Sequence, residues 1–103
     1  AARYLIDKGY DIVARNYRTR YGELDIICRL KKTIIFVEVK TRTSQKYGLP
    51  QEAVTSKKID HIRKAALMFL RSLDRPIEQI RFDVLSILMR EGKPEIEHIE
   101  SAF

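Results

Sequence analysis

The chain has 103 residues, enough for one modest hydrophobic core, so a single domain spanning 1–103 is expected. Its 20 Lys and Arg outweigh 14 Asp and Glu, and the net charge of +6 favours a polyanionic partner. No apolar run approaches the ~20 residues of a membrane helix, the start lacks a signal-peptide layout, and the single cysteine rules out an internal disulfide; cytoplasm is the expected compartment, with no membrane partner.

Taken in chain order, Ala1–Lys8 carries Tyr4, Leu5 and Ile6 in a helical context, with Gly9 placed as its stop. Tyr10–Arg18 predicts a first strand. Gly22–Leu30 and Thr33–Thr41 are rich in Ile, Val, Phe and Thr, and with Lys31-Lys32 between them they predict an antiparallel hairpin. Cys28 falls within this apolar pattern as a small core residue, and with only His61 and His98 beside it there is no zinc-type cluster. A polar loop with Gly48 and Pro50 follows. Ser56 is expected to cap a helix reaching about Leu73, since Ile59, Ile62, Ala66, Phe69 and Leu73 recur at helical spacing before Arg75-Pro76. Gln79–Met89 predicts a strand, Glu91–Pro94 a turn and Glu95–Ile99 a last strand. This order predicts an α/β fold. The mixed sheet has a three-stranded antiparallel meander, and the long helix crosses over so that the next strand runs parallel to a neighbour.

The hairpin concentrates the chemistry. A loop of even length centred on Lys31-Lys32 sets Asp25 opposite Glu38 and Glu23 opposite Lys40. Side chains alternate faces, so Asp25, Glu38 and Lys40 would share one patch, whereas a three-residue loop would separate them. Two carboxylates ~5 Å apart at an effective dielectric of ~20 repel by roughly 3 kcal/mol, a reason to expect a cation between them. A hard divalent ion such as Mg²⁺ or Mn²⁺ suits such oxygen ligands. The alternative is a surface ion-pair network in which Lys40, Arg42 and Arg29 neutralise the acids. Against it, Glu38 and Lys40 stand in or beside the apolar run from Ile34 to Val39, where charge is costly.

Basic residues surround this patch: Arg15, Arg18, Arg20, Arg42, Lys46, Lys57 and Lys58 all precede residue 60. Lys57, His61, Lys64 and Arg71 also fall along one face of the long helix, either as a solvated face or as a stripe that tracks a phosphate backbone. Arg18, Arg42, Lys57 and Lys64 are the expected nucleic-acid contacts. Tyr17, Tyr21 and Tyr47 lie among the cations as packing tyrosines or stacking platforms. Asp83 is a further strand acid, read as a partner of Arg81.

Asp25 followed by Glu38-x-Lys40 resembles the PD-(D/E)xK signature of restriction-endonuclease-like nucleases. The wider strings AARYLIDKGY, ARNYR, GELDII, FVEVKTR, YGLP, RFDVL and HIESAF resemble the YraN-type family of small bacterial proteins, and cover almost the whole chain. Leu24 stands where the formal motif has proline, and the helical glutamate that such proteins carry just upstream lies outside this sequence. The resemblance implies a restriction-endonuclease-like core flanked by the N-terminal helix, and Mg²⁺- or Mn²⁺-dependent cleavage of DNA, including branched DNA of the kind cut by archaeal Holliday-junction resolvases. It implies metal ligation by Asp25, Glu38 and the Val39 backbone carbonyl, catalysis by Lys40, and an auxiliary place for Glu23. A homodimer would suit symmetric cleavage. The competing expectation is a nucleic-acid-binding module of the same fold that does not cleave.

Overall fold

The computed structural model describes residues 1–43 and 54–103. Its elements are α1 (Ala2–Asp7), β1 (Asp11–Thr19), β2 (Gly22–Leu30), β3 (Thr33–Arg42), α2 (Ser56–Arg71), β4 (Gln79–Arg90) and β5 (Lys93–Ile99). The strands form one sheet in the order β1-β2-β3-β4-β5. Neighbours are antiparallel except β3 and β4, which run parallel. The meander and the crossover through α2 are therefore present, and the architecture is α/β.

Local chemistry explains the element ends. Gly9 adopts φ +92, a conformation open to glycine, and the Tyr10 amide returns to the Leu5 carbonyl to close α1. The cap of α2 is Thr55 and not the expected Ser56. Thr55 is extended and its hydroxyl accepts from the Lys58 amide, which leaves Ser56 as the first helical residue. The turn before β5 is also tighter than expected. Glu91 and Gly92 both take positive φ, so the strand starts at Lys93, and Pro94 is tolerated because β5 is an edge strand. Of the expected polar loop, Lys46, Tyr47, Gly48 and Pro50 lie outside the described residues.

Each face of the sheet buries one core. On the α2 side, Ile27, Ile34, Phe36 and Val84 pack against Ile62, Ala65, Ala66 and Phe69. On the α1 side, Leu5 and Tyr10 cover Ile26, Cys28, Ile35, Val37 and Leu85. Covered on both faces, β3 reads as an unbroken apolar run instead of an alternating one. Cys28 is wholly buried, its thiol donates to the Ile35 carbonyl, and burial pushes its pKa up to about 12; it is the inert core residue the sequence suggests.

Candidate active site

The hairpin turn has two residues, and the β2–β3 ladder runs from Leu30↔Thr33 to Ile26↔Val37. The next step of that register sets Asp25 against Glu38. The ladder stops there: the Val39 amide, 2.8 Å from Asp25 Oδ2, donates to a side chain instead of a backbone carbonyl. Asp25 thus stands where β2 and β3 part. On its other side, pairing with β1 runs from Arg15↔Ile26 to Tyr17↔Leu24, and Asn16 between them takes φ +51. The strand alternation breaks at this point. Leu24 and Ile27, three residues apart, both pack on the α2 side, whereas Ile26 faces α1. Strict period-two reasoning misses this break.

Ile34 and Phe36 face α2, and Glu38 and Lys40 continue that alternation. Glu38 is 5% exposed. Its Oε1 lies 3.6 Å from Lys40 Nζ and 3.7 Å from Lys58 Nζ, the latter supplied by the first turn of α2. Burial raises the Glu38 pKa above the ordinary glutamate value, and the Asp25 carboxylate raises it further; the two ammonium groups pull the other way without cancelling the effect. An open cleft of about 370 Å³ lies beside Asp25, lined by Ala1, Ala2, Arg15, Asn16, Ile26 and Val39.

The expected trio of Asp25, Glu38 and Lys40 is therefore brought together. Glu23 is not opposite Lys40: the ladder has ended by then, and Glu23 pairs across β1 with Arg18, Nε to Oε2 at 3.0 Å. Arg18 nonetheless keeps 85% of its side chain exposed. Arg42 ends β3, alongside Leu88 of β4. Lys57 is exposed on α2, and Lys64 pairs with Asp60 at 3.0 Å while lying over the Tyr21 ring. His61 lines a small cleft with Tyr21, Glu23 and Lys58. Tyr17 packs edge-on against Phe69. Of the neutralising cations in the ion-pair alternative, Lys40 does reach Glu38, whereas Arg29 lines a separate cleft near the hairpin turn.

Lys58, which the sequence places only among the flanking cations while Lys57 is the expected contact, is the one that reaches Glu38. Its signal was present: two lysines in the first turn of a helix oppose the macrodipole by ~0.3–1 kcal/mol each, which calls for a nearby anion. Only the crossover shows that the anion is Glu38.

Asp83 behaves as its pairing with Arg81 suggests, and more completely. It is fully buried and accepts from Arg81 Nε (2.9 Å), Arg81 Nη2 (2.8 Å) and the Ser101 amide (3.0 Å). His98 Nε2 lies 2.7 Å from Oδ2. Arg81 also reaches the Tyr10 hydroxyl at 2.7 Å and Glu100 at 3.3 Å. RFDVL and HIESAF thus meet in one clamp that ties β5 and the chain end to β4 and α1. With both oxygens engaged, Asp83 has no place for a metal.

Among the described residues no three His, Cys, Asp or Glu side chains cluster as a metal site, and no helix is long and apolar enough to cross a membrane. The oxygen donors on hand are Asp25, Glu38 and the Val39 carbonyl. An extended residue directs its N–H and C=O to the same edge, so that carbonyl opens toward Asp25 as the amide does. Two carboxylates and a carbonyl, with no soft ligand, fit a hard divalent ion.

The model of Uncharacterised protein family UPF0102 matches residues 1–87. The chain is similar to a UPF0102 protein of Syntrophomonas wolfei, 53% identical over 103 residues, covering all of this chain and 90% of that one. It is also similar to UPF0102 proteins of Nocardia farcinica, 54% identical over 104 residues and 82% of that chain, and of Geobacter metallireducens, 52% identical over 103 residues and 84% of that chain. The match to the family model and these similarities across the whole of this chain carry one conclusion: the chain belongs to the UPF0102 family.

Proposed function

We propose that the chain is a Mg²⁺- or Mn²⁺-dependent endonuclease with a restriction-endonuclease-like core, hydrolysing phosphodiester bonds in DNA, including branched or structured DNA. One observation carries the reading. Two carboxylates face each other where the central strands part, one of them buried with its pKa raised, and two lysines converge on the same place. Asp25, Glu38 and the Val39 carbonyl would hold the ion, which when bound supplies Lewis acidity toward the phosphate and a more acidic water. Lys40 reaches from the same face of β3, so its ammonium can meet negative charge developing on the reacting phosphate. Lys58 approaches from α2 and meets the same Glu38 oxygen as Lys40. The Val39 amide fixes Asp25 through Oδ2 and so orients its carboxylate. The exposed cations Arg15, Arg18 and Lys57 would attract the flanking backbone, and two copies related by a two-fold axis would suit paired cleavage.

A second reading is favoured by one feature. Lys40 and Lys58 both already stand on Glu38, so the chain partly neutralises its own acid, as a nucleic-acid-binding module without cleavage would. Incubation with labelled duplex, single-stranded and four-way-junction DNA, with and without Mg²⁺ or Mn²⁺, separates the two. Metal-dependent product from any of them supports the nuclease; retention without product in every case leaves the binding module.

A further inference from the structure

The crossover places the two ends of α2 at opposite ends of the sheet. Its start meets Glu38; its exit meets the hairpin turn, where a cleft of about 480 Å³ opens. Arg29 on this cleft is four residues along β2 from Asp25, ~13 Å at the rise of a strand. The floor is aliphatic: Val13, Ile34, Leu73, Pro76 and Ile77. Val13 is placed there by a slip in the β1–β2 register between Ile12 and Ala14, and it stays 43% exposed. The exit loop is tied to the turn, since the Glu78 amide donates to the Lys32 carbonyl and Lys32 Nζ meets Glu78 Oε1 at 3.3 Å.

The rim is cationic. Arg29, Lys31, Lys32 and Arg75 line the cleft, and among the described residues no acidic one lines it beside them. Lys32 has Glu78; the other three have no ion-pair partner among the described residues. A partly exposed apolar floor, most open at Val13 and Pro76, inside a ring of like charge is complementary to a ligand that brings both anions and a hydrophobic group. Nucleic acid fits less well. Phosphates would satisfy the rim, but bases need aromatic platforms, and among the described residues none lines this cleft.

We propose that the cleft binds an acidic peptide segment carrying one or two large apolar side chains, which seat on the floor while the flanking Asp or Glu residues meet the rim. This site is independent of the nuclease reading. Fluorescence polarisation of the whole chain in EDTA tests it, with labelled peptides of four aspartates followed by Leu-Phe, four aspartates followed by two serines, and four serines followed by Leu-Phe. A labelled oligothymidylate is the nucleic-acid probe. The acidic–apolar peptide is expected to bind at least about 10-fold more tightly than either peptide control. Val13→Asp and the double variant Lys31→Glu with Arg75→Glu, all at exposed positions, should each weaken it by roughly 10-fold or more while keeping the wild-type circular-dichroism melt. The proposal is overturned by equal binding of the three peptides, by no binding of the acidic–apolar one, or by variants that leave it unchanged. Oligothymidylate that binds more tightly and is lost in the same variants would reassign the cleft to nucleic acid.

Discussion

Asp83 and Glu38 are buried acids on adjacent parallel strands, one ladder step apart, with Val37↔Asp83 followed by Glu38↔Val84. They point to opposite faces, and their surroundings are opposite too. Asp83 has four donors at 2.7–3.0 Å, two of them from one guanidinium. Its hydrogen bonds in turn hold Arg81 well above the usual arginine range. Among the described residues, Glu38 meets the ammonium groups of Lys40 and Lys58 at 3.6 and 3.7 Å, beyond good hydrogen-bond length, and has a second carboxylate beside it. The first acid is saturated and structural. The second is held by longer contacts to two lysines and shares its place with another carboxylate.

The largest effect should come from breaking the saturated acid. Asp83→Ala takes the buried partner from the half-buried Arg81 guanidinium and from His98, and is expected to cost about 3 kcal/mol in urea unfolding. Asp25→Ala in EDTA should cost less, since the repulsion it relieves offsets the hydrogen bond lost by the Val39 amide. Equal losses in the two variants would erase the contrast.

Next comes Lys40→Ala. On whatever substrate the wild type cuts, at saturating metal, it should cut at least ~10²-fold more slowly, about 2.7 kcal/mol in the barrier, while DNA affinity falls only a few-fold. Lys40→Arg should rescue poorly, because a planar fork does not replace a compact ammonium. If Lys40→Ala cuts as well as the wild type, Lys40 is only a rim charge.

Metal binding should stabilise the wild type by about 1.4 kcal/mol with Mn²⁺ tenfold above its Kd, from RT ln(1 + [L]/Kd). Asp25→Ala and Glu38→Ala should show almost none of that rise in thermal melts. A full rise in either variant would place the ion elsewhere.

The smallest effect is in pH. The folded-state pKa of Glu38 lies above its ordinary value of about 4.5, so its protonated form is favoured by folding. Its contribution is fully present below the unfolded value and is lost as pH rises through the folded one. In EDTA, wild type should therefore lose stability relative to Glu38→Gln as pH climbs from about 4 toward neutrality. A gap that narrows in wild type's favour over that range would show instead that Lys40 and Lys58 dominate.

Much of this contrast is legible in the chain itself. The two-residue turn at Lys31-Lys32 and the parity of a strand place Asp25 opposite Glu38 with Lys40 on the same face as Glu38, because both are local geometry. Helical spacing identifies the core face of α2 for the same reason. The α/β order, the parallel β3–β4 pair and the inert burial of Cys28 also follow from pattern and chain connectivity.

What the tertiary structure alone decided are the meetings between segments distant in sequence. The approach of Lys58 to Glu38 depends on how the crossover seats α2, which no spacing encodes. The break in alternation at Asp25 depends on Asn16 of the neighbouring strand taking a left-handed conformation. Glu23 goes to Arg18 because the β2–β3 ladder ends early. The closure of the RFDVL acid by the HIESAF tail, and the basic cleft at the α2 exit, likewise join elements whose separation along the chain hides them. Periodicity dictates which face a side chain takes; only packing dictates what it faces.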